Sequence, residues 1–153
     1  MPKKFSQKLL STRSNVFSGD AKAINMNLGT ISATTSPLRI IGVVPKNATI
    51  TGINVLVATT ITANDTNYWT FAITNKAGNG SGSTALLASS DANTTKATGG
   101  IGITAFDTTA LSLTSTSADL NVSAGDCLVL TATKSASASN LVDATIQIIY
   151  KDR

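Results

Sequence analysis

The side chains of this sequence best suited to chemistry are one cysteine, Cys127, and eight aspartates; histidine and glutamate are absent. Without histidine the commonest general base and metal ligand is missing, so neither a Ser-His-Asp triad nor a Cys-His pair can form. The aspartates stand singly in turn contexts such as Asn64-Asp65 and Gly125-Asp126. No Asp-X-Asp-X-Asp run gathers ligands for calcium, and no glycine-rich loop ending in Lys-Ser/Thr cradles a phosphate. A reactive thiol needs a basic neighbour, and Cys127 follows Asp126, which has the wrong sign. Alternating with Val129 on one face of a strand, Cys127 is expected as a small core residue. These absences predict a protein that is not an enzyme and carries no cofactor and no metal.

Tyr68, Trp69 and Phe71 form the densest aromatic group, and flat rings in a row can stack on sugar faces. Trp69 and Phe71 are two apart, however, so on a strand they share a face, and core packing is the expected use of both. Aromatic residues make up only 5% of the chain, which leaves few rings for a second site.

The elements that must carry these residues read as β. Charged residues are 13% of the chain while threonine and serine number 24 and 17, so hydroxyls do much of the solvation that charges usually do. Thr, Val and Ile suit a pleated surface, and straight-chain helix formers are scarce. Short alternating runs bounded by Gly, Asn, Asp, Ser and Pro predict strands near 24–32, 38–44, 49–60, 68–74, 84–88, 110–114, 126–133 and 142–151. Ile53, Val55, Trp69, Phe71, Val129, Ile146 and Ile148 are the expected core. About eight strands without a long helix predict an all-β, two-sheet antiparallel sandwich, and the even count favours a jelly roll over an immunoglobulin-like sandwich, with a barrel as the alternative. The single cysteine can form no internal disulfide, so packing must hold the fold.

Residues 1–22 differ from the rest. Lys3, Lys4, Lys8, Arg13 and Lys22 stand there against Asp20, whereas the other seven Lys/Arg and seven Asp cancel, so the whole formal charge of +4 lies in this segment. Phe5, Leu9, Leu10, Val16 and Phe17 are interleaved with the charges. Gln7 and Lys8 break the apolar run that a secretory leader requires, so synthesis in the cytoplasm is expected. No run of about 18 apolar residues exists to span a membrane. Five basic residues in 22 are sparse for a nucleic-acid arm. The division expected is a basic N-terminal docking arm over 1–22 and a sandwich over 23–153. In the arm Lys3, Lys4, Phe5, Lys8, Leu9, Leu10, Arg13, Val16 and Phe17 are the candidate partner-binding residues, with neither nucleic acid nor membrane as the partner.

Two stretches resemble a known group. Val43-Val44-Pro45-Lys46-Asn47-Ala48-Thr49-Ile50-Thr51-Gly52-Ile53-Asn54-Val55 is similar to a strand-turn-strand unit of jelly-roll proteins in bacteriophage particles. Val122-Ser123-Ala124-Gly125-Asp126-Cys127-Leu128-Val129-Leu130, followed by Ala144 to Tyr150, is similar to the closing half of such domains. The resemblance covers Leu38 to Tyr150 as a shared style of sequence. It implies a virion structural protein of the capsid decoration or cement type, sitting on the capsid exterior. Its partners would be the major capsid protein and itself, as a homotrimer. Phage tail-fibre or receptor-binding sandwiches share the style, and a carbohydrate-binding module is the alternative from another class.

Overall fold

The structure is a computed structural model, and it describes residues 21–32 and 38–153. Among these residues nine strands run β1 Lys22–Ile31, β2 Leu38–Val43, β3 Ala48–Leu56, β4 Trp69–Asn75, β5 Thr84–Ala85, β6 Thr109–Ala110, β7 Asn121–Val122, β8 Cys127–Lys134 and β9 Leu141–Asp152. One sheet has the order β1-β9-β3-β6, with β7 also on β3; the other has the order β2-β8-β4-β5. All pairings between named strands are antiparallel.

The connectivity is that of a long hairpin rolled over on itself. Nested pairs β1·β9, β2·β8, β3 with β6 and β7, and β4·β5 fall alternately in the first and second sheet. Rolling then adds β9·β3 and β8·β4, which closes two four-stranded layers. That is a jelly roll, as expected, with the sixth of its eight strands split in two. Between β6 and β7 the chain leaves β3 and crosses to the second sheet, where Leu113 bridges Leu87, Ala88 N–H donates to the Ser112 carbonyl and Thr114 N–H to that of Leu86. This crossing closes one side of the sandwich. A short β7 went unpredicted because a two-residue strand has no period to read.

Alternation explains the core. β3 turns Ile50, Ile53 and Val55 inward, β4 turns Trp69, Phe71 and Ile73, β8 turns Leu128, Leu130 and Ala132, and β9 turns Ile146, Ile148 and Tyr150. All seven expected core residues are buried, although Val129 is covered on the outward face of β8 and lies outside the main core cluster. Trp69 is fully buried, and its indole N–H donates to the Ser139 carbonyl at 2.8 Å. β3 ends at Leu56, earlier than the expected Thr60; beyond it Phe106 N–H donates to the Val57 carbonyl and Ala58 N–H still reaches the Val142 carbonyl of β9, next to Asp143 with its positive φ of 47°. Cys127 is corrected as well. It alternates with Val129 as expected, but on the outward face of β8, and it is only partly covered.

At its N-terminal edge the sandwich is drawn together by a glycine. Ile24 of β1 lies against Gly42 of β2, where an added β-carbon would sit 3.2 Å from Ile24 Cγ2. Lys22, the last residue of the segment read as an arm, is the first of β1 and pairs with the Asp152 carboxylate at the end of β9.

Candidate interaction face

Several of the described aspartates are occupied with structure. Asp126, buried, accepts hydrogen bonds from Asn75 Nδ2 at 2.7 Å and from Ser123 N–H at 2.9 Å, tying the turn before β8 to the end of β4. Asp65 accepts from the Thr98 N–H and hydroxyl at 2.8 and 3.0 Å, and these bonds hold its carboxyl below the usual carboxylate range. Lys96 reaches Asp91 at 2.8 Å, which raises the lysine above its ordinary value. Among the described residues no three acidic or thiol side chains are grouped to hold a metal ion.

The aromatic trio divides as its spacing implies. Trp69 and Phe71 point into the core, so neither can stack on a sugar. Tyr68 is half-exposed, and the Lys96 ammonium lies 5.0 Å from its ring centroid. A groove of about 430 Å³ runs beside it along the outer face of β4, with Thr70, Thr74, Ser89, Ser90 and Asp91 among its lining.

The two outer faces of the sandwich differ. Across the first sheet an amide ladder runs from Asn54 Nδ2 to Gln147 Oε1 at 2.9 Å and from Gln147 Nε2 to Asn25 Oδ1 at 3.1 Å, spanning β3, β9 and β1. That face carries its own side-chain hydrogen bonds. The second sheet instead ends in β2, which is an edge strand pairing, among the described residues, with β8 alone. On its outward side Leu38, Ile40 and Val43 are 65%, 63% and 58% exposed. A register shift between Ile40 and Gly42 keeps Val43 on the same side as the first two while Ile41 goes into the core. Opposite them on β8 stand Thr131, Val129 and Cys127, so the strip continues inward with little polarity. An open edge carrying a row of large apolar side chains is a template for pairing with another chain.

Among the described residues Phe106 is the remaining large exposed hydrophobic side chain, 83% exposed, and its φ of 61° is a left-handed conformation that bulky residues rarely adopt. It lies beyond the C-terminal end of β3, at the opposite end of the sandwich from Lys22.

The candidate arm residues Lys3, Lys4, Phe5, Lys8, Leu9, Leu10, Arg13, Val16 and Phe17 all lie outside the described residues. The β2 strip was missed from sequence, although Leu38, Ile40 and Val43 were legible as part of a strand. Which strand becomes an edge depends on the order of strands in the sheet.

The layered arrangement defines an antiparallel jelly-roll sandwich with one closed side and one open, apolar edge. Its fold is shared with a chain of a solved structure, the cyanophage Pam1 capsid asymmetric unit, with a TM-score of 0.53 at 15% identity, over 90% of this chain and 88% of that one. No protein-family model matches the sequence, and no curated protein is similar to it.

Proposed function

We propose that this chain is a non-enzymatic structural protein of a phage particle, a capsid decoration protein that binds the major capsid protein and stabilises the shell. The observation that carries the reading is the jelly roll shared across about nine-tenths of both chains with a component of the Pam1 capsid. A sandwich whose body has no net charge, joined to a segment holding all of it, suits a protein that settles on a lattice through an arm. In this reading residues 1–22 are the attachment element, with Phe5, Leu9, Leu10, Val16 and Phe17 as apolar anchors and the basic residues steering toward an acidic surface. Copies associate as a homotrimer, and the address is the capsid exterior.

The groove beside Tyr68 supports a carbohydrate-binding reading less well, because one half-open ring is a small platform. A tail-fibre domain shares the fold class, yet the solved chain reported above as similar comes from a capsid asymmetric unit.

Co-sedimentation of purified protein with shells of the source phage lacking this component tests the proposal. Stoichiometric binding of the full chain that weakens with salt, and its loss when residues 1–20 are removed, are expected. The cut at residue 20 keeps Lys22 and its pairing with Asp152. Binding by the truncated chain equal to that of the full chain would move the contact to the sandwich; no binding by either would remove the capsid role.

A further inference from the structure

The body of the sandwich is neutral from residue 23 onward, but its charges are sorted to its two ends. Lys22 opens β1, Lys46 lies in the connection between β2 and β3, and Lys151 and Arg153 stand at the close of β9, all exposed. Strand pairing gathers them. Thr49 of β3 lies opposite Lys151, and Arg153 N–H donates to the Asn47 carbonyl at 3.0 Å. Asp152 is held below its ordinary value chiefly by Lys22 and further by Lys46, so Lys46 stands beside that pair. Lys76, directly after β4, joins the same end, because its N–H donates to the carbonyl of Cys127, the residue opposite Val43.

Three aspartates share this end with the five cations. Asp126 is buried and accepts from Asn75 and Ser123, Asp152 is paired with Lys22, and Asp119 is half-buried ahead of β7. Among the described residues Lys46, Lys76, Lys151 and Arg153 form no ion pair. The opposite end has the other sign. Asp65 before β4, Asp91, Asp107 beside Phe106 and Asp143 near the start of β9 stand there against Lys96 and Lys134, and Lys96 is already paired with Asp91.

We propose that the basic end is a second contact surface, which seats on an acidic protein surface and turns the Phe106 end away from it. The identity of that partner rests on the capsid reading, whereas the surface itself is built from the folded body.

Separation lets the two ends act independently. Asp143 and Lys151 both lie on β9, roughly 26 Å apart at about 3.3 Å per residue, and exposed charges are largely screened beyond about 10 Å at physiological salt. An acidic surface therefore meets one end at a time, drawn to one and repelled by the other. Like charges gathered without partners also repel one another in the free protein, and carboxylates brought by a partner relieve that repulsion. The chemistry suits protein better than nucleic acid. Four of the five cations are lysines, point charges without the bidentate fork of arginine. Tyr150, next to Lys151, is buried, so it offers no face on which a base can stack.

Co-sedimentation with DNA-free shells of the source phage lacking this component tests the surface, with the full chain in every case. Lys46→Glu/Lys151→Glu/Arg153→Glu should bind about tenfold more weakly or worse at low salt, and the gap should close as salt is added. Asp107→Asn/Asp143→Asn, which changes charge at the other end, should bind within about twofold of the parent. A cooperative thermal melt shows that each variant is folded. In the parent complex, zero-length coupling of amines to carboxylates should join Lys46 or Lys151 to the shell protein and leave Lys134 unjoined, a readout that needs no variant. Equal binding by the parent and the triple variant, or coupling through Lys134 alone, would overturn the inference and leave the capsid reading standing. No binding by the parent would remove both. Tighter binding of the parent to a duplex DNA fragment than to the shells would assign the basic end to nucleic acid and overturn the inference equally.

Discussion

Ile24 and Gly42 meet across the gap between the two sheets, and the space there admits no β-carbon without displacement: Cγ2 of Ile24 would lie 3.2 Å from it. This contact brings β1 and β2, the outer strands of different sheets, together at one edge. Gly42→Val should therefore destabilise the fold by about 1 to 3 kcal/mol through overpacking, and Gly42→Ala by less because Ile24 can shift by a few tenths of an ångström. Urea unfolding would show a lower midpoint with an unchanged slope. Wild-type stability for both variants would mean that the edge is looser than drawn.

Trp69 separates two contributions at one site. Trp69→Phe keeps most of the buried surface but leaves the Ser139 carbonyl without its 2.8 Å donor, a loss expected at about 1 to 3 kcal/mol. Trp69→Ala removes the ring as well and should cost about 3 to 5 kcal/mol. Thermal denaturation of the two variants should rank them in that order.

For Asp126, the prediction follows from what its removal strands. Asp126→Ala leaves the Asn75 amide and the Ser123 N–H, at 2.7 and 2.9 Å, without their acceptor in a buried corner. A loss of about 2 kcal/mol is expected. The double variant Asn75→Ala/Asp126→Ala should lose less than the sum of the singles, as groups sharing a bond do. Strict additivity in chemical denaturation would show that the two are not coupled.

The Lys22–Asp152 pair sets a pH window. Asp152 is held below its ordinary 3.8 chiefly by the hydrogen bond from Lys22, and Lys22 is raised above 10.5 chiefly by the same bond. A lowered carboxylate stabilises above its unfolded value and loses that as pH falls through the folded one. A raised lysine stabilises below its unfolded value and loses that as pH rises through the folded one. The clasp is thus whole from about pH 4 to pH 10.5. Because both groups are solvent-exposed its contribution is small. Lys22→Met should reduce the pH dependence of the melting temperature below pH 4 while leaving that between pH 5 and pH 9 unchanged.

Phe106 holds a left-handed backbone at φ 61° with its ring 83% exposed. Phe106→Gly removes about 1 kcal/mol of backbone strain and offsets it by a similar entropy cost, so stability should be unchanged within about 1 kcal/mol in thermal melts. Reduced co-sedimentation with shells by this stable variant would mark Phe106 as a contact point; unchanged co-sedimentation would leave the ring without a role there.

Much of the sandwich was legible in the chain because alternation is a local property. Ile146 and Ile148 against Gln147, or Trp69 and Phe71 against Thr70, declare two faces without any knowledge of the neighbours, and side chains of that size have few places but a core. The splitting of one strand into β6 and β7 was not legible, since its cause is the crossing by which Leu113 reaches Leu87 on the other sheet. Nor was the orientation of Cys127: period two says that it shares a face with Val129 but not which face is inward. The charged and apolar character of residues 1–22 is a property of the sequence alone. That Leu38, Ile40 and Val43 form an exposed strip is a property of the tertiary structure alone, because an edge exists only once every other strand has found its neighbour.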